Sequence, residues 1–350
     1  MRILIISDAW KPQVNGVVRT YEDLIPHLEA ADHMVKVIGP ADFKRRRPMP
    51  GYKEIELVIL PGAELKKLVD DFRPDTIHIA TEGPLGWAAR RLCMSRGWPF
   101  TTAYHTHFPD YVALRAARRW PVLHDPAKKL AIRLIRRFHA PSHGVLTTTA
   151  SVEKTLRSYG FETPLFRLTR GVDTDIFHPG PKTKFDYLKR PVALFVGRVA
   201  IEKNIAAFLA MTWTGSKVVV GHGPDLEDLK KRYPDVTFTG IRKGSELADH
   251  YRSADVFVFP SKTDTFGLVL IEAMACGLPL AGYPVSGPGD IITQPLLGSV
   301  NKDLGKAAKE ALAAPGTATD RSTYLDENYT WDLARQQFET AIETACIAYN

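Results

Sequence analysis

Cysteine is scarce: three residues in 350, Cys93, Cys276 and Cys346, lie far apart with no Cys-x-x-Cys pair. That argues against a disulfide framework or a cysteine-held zinc site, and makes a reducing cytoplasm the expected setting. Long apolar runs are absent too. None approaches the ~20 residues that a bilayer-spanning helix needs. The opening MRILIISDAW reaches Asp8 too soon for the apolar core of a signal peptide. The expectation is a soluble or peripheral protein. No internal repeat and no low-complexity tract occurs. Acid is in deficit, 39 Asp and Glu against 46 Lys and Arg, for a formal charge of +7. The excess is local. Residues 115–137 hold eight cations and one acid, Asp125, and residues 44–47 are four adjacent cations. Such stretches suit nucleic acid, anionic lipid or a solvated face.

What is present is globular. The chain is 45% hydrophobic and 24% charged, and its length suits two domains of ordinary size. Apolar strand-like runs alternate with helical patterns. In the first half, residues 2–7, 35–39, 56–60, 76–80, 100–104 and 144–149 read as strands. Helices are expected at about 19–30, 64–72, 83–96 and 151–159. In the second half, strands are expected at 192–196, 217–221, 236–240, 256–259 and 280–283, helices at 247–254, 301–314 and 329–349, and a polar loop at 315–322. This alternation predicts α/β doubly wound parallel sheets, with ligands at the carboxyl ends of the strands. Gly171, Pro179 and Gly180 mark the boundary between the halves.

The most informative stretch is FPSKTDTFGLVLIEAMACGLP, residues 259–279. A buried strand ends, a polar turn follows, and a helix then runs to Cys276 before Gly277 and Pro279. Asp264 precedes the helix and Glu272 lies inside it, with seven residues between them. A helix start offers backbone N–H groups suited to a diphosphate. Upstream, GRVAIEKN (197–204) puts Arg198 and Lys203 beside another strand end, where two cations favour phosphate. GHGPDL (221–226) has Leu226 where a dinucleotide fingerprint needs its third glycine, so NAD binding fails its own test. YHTHFPDY (104–111) delivers His105 and His107 to a strand end, with no third metal ligand at suitable spacing.

Together these motifs resemble the family-4 retaining glycosyltransferases, which have the GT-B fold. The acid-x-F-G block, Gly-Arg followed by Glu-Lys-Asn, Gly221-x-Gly223-Pro224, SGPGDII (286–292) and the linker RGVDTDIFHPG (170–180) occur in that family's order over nearly the whole chain. Departures are Asp264 for the usual Glu, Arg170 for Asn in the linker, Ser286 for Gly and Asp290 for Glu. The resemblance implies two facing Rossmann-like domains with a cleft between them. Residues 1–170 would form the acceptor domain, rejoined by a crossing helix at about 329–350, and 171–328 the donor domain. It implies that Asp264 holds sugar hydroxyls while Thr265, Phe266, Gly267 and Leu268 meet sugar and diphosphate. Glu272 would take the ribose, Ile241 would lie near the base, and Gly197, Gly221, Gly223 and Gly16 would line the donor. Arg198 and Lys203 would offset charge on the leaving phosphate. His105 would orient the sugar, with His107 the second choice and able to face the acceptor. The family pattern implies no catalytic metal, so Asp173 and Asp175 belong to the linker, and no cofactor beyond the nucleotide sugar.

TDTFG and YHTHFPDY are closest to the glycolipid-forming members, diacylglycerol glycosyltransferases and sulfoquinovosyl transferases. From Lys128 on, Leu130, Ala131, Leu134, Ile135 and Phe138 fall on one helical face, and Lys128, Lys129, Arg133, Arg136 and Arg137 on the other. Trp120 precedes this helix. A basic amphipathic helix suits the inner face of an anionic membrane; the same pattern also fits a helix packed on its sheet with solvated cations. Tyr111 and His107 are candidate acceptor contacts. Nucleic acid is not indicated, for want of a binding motif. The expected reaction moves glucose, galactose or glucuronate from a UDP-sugar to diacylglycerol. UDP-sulfoquinovose, or GDP-mannose with phosphatidylinositol, are alternatives, as is a silent nucleotide-sugar-binding scaffold on membranes. Nothing in the residues specifies an oligomeric state.

Overall fold

The computed structural model describes residues 1–13, 15–49 and 52–347. The chain divides into two compact units, Met1–Arg170 with the segment from Trp331 onward, and Gly171–Thr330.

In the first unit, Arg2–Ile6 is apolar after its first residue, as suits a strand covered on both faces. Six strands form the sheet, in the order Met34–Ile38, Arg2–Ile6, Thr76–Ile79, Thr101–Tyr104, Gly144–Thr147, Leu165–Arg167. All their pairings are parallel. Side chains alternate between the two faces. Ile3 and Ile5 pack with Tyr21, Leu24, Leu28, Phe338 and Ile342, whereas Leu4 and Ile6 pack with Leu65, Val69, Leu85 and Phe138. Each such burial is worth roughly 1.5–3 kcal/mol relative to exposure.

The first helix spans Gly16–Ala30 and starts before the expected residue 19. Asn15 explains this: its side-chain oxygen accepts the N–H groups of Val17 and Val18 at 3.0 and 3.1 Å, a complete N-cap. The cationic run at 44–47 leads into an antiparallel pair, Arg46–Met49 with Tyr52–Val58, so the expected strand 56–60 ends two residues early. The basic segment is a hairpin of two helices, Phe108–Arg119 and His124–His139, joined by the tight turn Pro121–Leu123. The last helix is shorter than expected, Trp331–Glu343, and it buries Trp331, Ala334, Phe338, Ala341 and Ile342 against the first unit.

The second unit repeats the plan. Its strands lie in the order Thr237–Gly240, Lys217–Val220, Ala193–Val196, Val256–Phe259, Leu280–Gly282, Gly298–Val300, all parallel. The helix expected at 301–314 spans Leu304–Leu312. The expected polar loop 315–322 is instead the start of a helix, Ala318–Asn328. Thr317 and Asp320 close a capping box there, each bonding the other's backbone N–H. Arg321 points inward and donates to the carbonyls of Leu296 and Gly277 at 2.8 and 3.3 Å, so a polar sequence still makes a buried contact.

Candidate active site

In the second unit the strand Val256–Phe259 feeds a turn that ends at Gly267, whose φ of 95° is left-handed. A Cβ there would also meet Phe259 and Leu270 at 3.0 and 3.1 Å, so glycine is required. The helix Leu268–Ala275 starts directly after it. Lys203 reaches this turn from a different loop. Its Nζ donates to Asp264 Oδ1 and Oδ2 at 2.7 and 2.9 Å. Lys203 ends the short turn Ile201–Lys203, and Asn204 (φ 51°) anchors that turn by donating from Nδ2 to the Pro260 carbonyl at 3.0 Å. The two motifs are thus stapled together at the carboxyl end of the sheet. The 286–290 loop closes on the same turn: a Cβ on Gly287 would lie 2.7 Å from the Phe266 carbonyl. Thr265 and Phe266 are buried, and the Phe266 ring meets Tyr329 edge-on at 5.9 Å.

Arg198 Nε lies 3.9 Å from Glu202 on the same loop, half-exposed. Glu272 is buried, and its Oε2 accepts the Tyr251 hydroxyl at 2.8 Å. Ile241 is exposed at the end of the strand Thr237–Gly240. Gly197, Gly221 and Gly223 allow two strand ends to touch. A Cβ on Gly221 would stand 1.9 Å from the Gly197 carbonyl oxygen, and one on Gly223 would stand 2.2 Å from that of Val199. Close backbone packing is therefore one reason for these glycines. Asp173 accepts the Asp175 N–H at 3.1 Å within the linker turn.

In the first unit His105 follows the strand Thr101–Tyr104. Its Nε2 lies 2.9 Å from the Tyr21 hydroxyl and its Nδ1 3.2 Å from the Arg170 guanidinium. Burial, then the Arg170 charge, hold its pKa well below the ordinary histidine value. His107 is buried, with Nδ1 4.0 Å from Asp110. Gly16 opens the capped helix. The Tyr111 side chain lies outside the described residues. Lys128 is engaged by Asp110 at 2.5 Å, which raises its pKa. Lys129, Arg133, Arg136 and Arg137 have no carboxylate within ion-pair distance among the described residues, and the last three line an open groove of about 490 Å³. The helix buries Ala131, Ile135, Phe138 and His139; Leu130 and Leu134, expected on the packed face, are exposed. Trp120, Val122 and Leu123 in the turn before it are exposed as well.

Residues 14–176 match the family model described as Glycosyltransferase Family 4, and 190–314 match Glycosyl transferases group 1. A GDP-mannose-dependent alpha-mannosyltransferase of Corynebacterium glutamicum is 30% identical over 84% of this chain and 75% of its own length. The chain belongs to glycosyltransferase family 4. Alpha-monoglucosyldiacylglycerol synthase of Streptococcus pneumoniae is 28% identical over 90% of this chain and 79% of its own. Sulfoquinovosyl transferase SQD2 of Arabidopsis thaliana is 30% identical over 79% of this chain and 54% of its own. Among solved structures, sucrose-phosphate synthase from Thermosynechococcus elongatus superimposes with a TM-score of 0.74 at 20% identity, covering 97% of both chains. Anabaena Alr3699/HepE in complex with UDP gives 0.69 at 15% identity, covering 98% of this chain and all of the other. The fold of this glycosyltransferase is GT-B, built from two Rossmann-like parallel-sheet units.

Sequence reasoning placed Lys203 and Asp264 in one site, and they meet. It left four partners unassigned: Tyr251 on Glu272, Asn204 on Pro260, and Arg170 and Tyr21 on His105. Each bond joins residues distant in sequence or an unremarked side chain, so no local spacing signals it.

Proposed function

We propose that this glycosyltransferase moves a hexose from a UDP-sugar to diacylglycerol at an anionic membrane surface, retaining the anomeric configuration and needing no metal. Family membership supports transfer from an activated sugar. The observation that carries the lipid acceptor is the helical hairpin of the first unit. Val122 and Trp120 at its turn are 79% and 59% exposed, Leu130 and Leu134 on its second helix are exposed, and the same helix carries Lys129, Arg133, Arg136 and Arg137. Apolar side chains that enter the interface beside cations that meet lipid phosphate are what a peripheral enzyme needs to reach an acceptor that scarcely leaves the bilayer. Among the described residues no helix is long and apolar enough to cross a membrane, so on this reading attachment is peripheral.

The donor site would work by exchange of partners. Without substrate, Lys203 Nζ donates to both carboxyl oxygens of Asp264. An entering diphosphate competes for the Lys203 ammonium, leaving Asp264 to accept hydrogen bonds from sugar hydroxyls. Arg198 and Lys203 then stabilise the negative charge that builds on the departing phosphate. Glu272, held through Oε2 by Tyr251, is assigned to the ribose. Attack occurs on the donor's own face, with the leaving phosphate taking the acceptor's proton.

A second reading, GDP-mannose as donor, is favoured by the likeness to the Corynebacterium glutamicum mannosyltransferase. Thin-layer and mass analysis of lipids from a host expressing the chain tests both. A new monohexosyl diacylglycerol supports the main reading; a mannosylated phosphoinositide supports the second; an unchanged lipid profile refutes a lipid acceptor.

A further inference from the structure

A chain of hydrogen bonds runs through the first unit, linking the last residue before the linker to the middle of the sheet. Arg170 NH2 lies 3.2 Å from His105 Nδ1, and His105 Nε2 lies 2.9 Å from the Tyr21 hydroxyl. That hydroxyl is 2.7 Å from His78 Nε2, and His78 Nδ1 is 2.8 Å from Thr101 Oγ1. Tyr21, His78 and Thr101 are fully buried and Arg170 is 3% exposed. Imidazole nitrogens and hydroxyls can each donate or accept, so four of the five groups leave the direction open. A guanidinium cannot accept. We propose that Arg170 is a positioning residue that fixes His105 in the neutral tautomer with its proton on Nε2, and thereby orients every hydrogen bond from Arg170 to Thr101.

The assignment follows link by link. Arg170 donates, so His105 Nδ1 accepts and carries no proton. The ring proton therefore sits on Nε2 and is donated to the Tyr21 oxygen. The Tyr21 hydroxyl hydrogen points to His78 Nε2, which accepts. His78 then keeps its proton on Nδ1 and donates it to Thr101. Arg170 is itself fixed by two further bonds, to the carbonyls of Leu168 and Thr169 at 2.7 and 2.8 Å. Its guanidinium remains charged, because burial lowers its pKa only to about 10.

The consequence concerns charge. The groups facing His105 include Arg170, Tyr21, His78 and His139, with Glu82 beyond at 3.3 Å from His139. A second cation at His105 would be disfavoured by the fixed one at Arg170 and by burial. A neutral ring is what a sugar developing positive charge requires beside it, since an imidazolium would oppose that charge. This last step rests on the proposed glycosyl transfer; the tautomer does not.

The test is 15N NMR of the full-length protein labelled at histidine nitrogens, without substrate, with the His105 signals assigned by their loss in His105→Gln. The expected spectrum has an unprotonated Nδ1 and a protonated Nε2 from about pH 5.5 to 8. Tyr21→Phe should leave that pattern intact, because Arg170 and not Tyr21 sets it, and Arg170→Lys should preserve it with another donor-only group. Arg170→Met should release it, so that a proton appears on His105 Nδ1 in part of the molecules, while burial still holds the ring below the ordinary histidine value. A protonated Nδ1 in the wild type, or a pattern that follows Tyr21, overturns the proposal even if Arg170→Met does not fold. Because the spectra need no substrate, failure of the lipid-acceptor reading leaves the tautomer result standing, and the reverse also holds.

Discussion

At the residue scale the Lys203–Asp264 pair separates stability from activity. Both side chains are a quarter to a third exposed, so the pair contributes no more than about 1 kcal/mol to folding. Lys203→Ala should therefore unfold in urea near the wild-type midpoint while kcat falls by roughly two to three powers of ten, the scale of one lost transition-state partner. Wild-type turnover in that variant removes the phosphate role. Glu272 differs because it is buried and held by Tyr251. Its assigned contact with ribose is made in ground and transition states alike, so Glu272→Gln and Tyr251→Phe should weaken free UDP in calorimetry with a smaller change in kcat. Unchanged UDP affinity in Glu272→Gln contradicts the ribose assignment. His78 gives a pH dependence. Burial lowers its pKa to about 3 in the folded protein, against about 6.5 unfolded. The unfolded chain thus binds the extra proton below pH 6.5, and stability is complete above that value and lost as pH falls toward 3. Between pH 6.5 and 5 the loss from His78 is roughly 2 kcal/mol, at 1.36 kcal/mol per unit. Urea midpoints at pH 7.5 and 5 should show it, and His78→Asn should flatten the difference; equal slopes in both proteins argue against it.

At the element scale, most strands were legible because parallel strands covered on both faces are continuous apolar runs, such as 256–259 and 193–196. The helices Phe108–Arg119 and Ala318–Asn328 were not. The second lacks a clear apolar stripe and is held by a capping box and a buried Arg321 rather than by hydrophobic period. The acid-x-F-G turn and the Glu-Lys-Asn loop were legible as motifs, but the ion pair that joins them spans 61 residues and appears only once the sheet is formed. The helix His124–His139 shows the limit of a helical wheel: it separates polar from apolar faces, yet cannot say that Leu130 and Leu134 fall beyond the edge of the packed surface. That exposure carries a prediction. With Lys128 engaged by Asp110, four of the five Lys and Arg residues of this helix remain for lipid, each worth about 1 kcal/mol or less. Changing Lys129, Arg133, Arg136 and Arg137 to Gln should abolish sedimentation with phosphatidylglycerol vesicles. Trp120→Ala with Val122→Ser should weaken it even at low salt, where charge attraction is strongest. Full binding by both variants leaves the hairpin a solvated face.

At the scale of the whole molecule, two parallel-sheet units account for how motifs from distant parts of the sequence come to act. Strand ends carry the chemistry and helices carry the burial. In the second unit that places the Lys203–Asp264 pair at the carboxyl end of the sheet; in the first it places His105 at the end of one strand and a cationic, partly apolar hairpin just beyond it. On the proposed function, one chain carries both a phosphate-and-sugar site and a membrane-docking element. The measurement that tests this most directly is transfer of label from UDP-glucose, UDP-galactose or UDP-glucuronate to diacylglycerol in phosphatidylglycerol vesicles, with EDTA present and the product's anomeric configuration read by NMR. The account predicts an α-linked glycolipid whose formation requires the anionic vesicle and survives the chelator. A β-linked product, an absolute need for a divalent metal, or label reaching only water or a soluble sugar would contradict it.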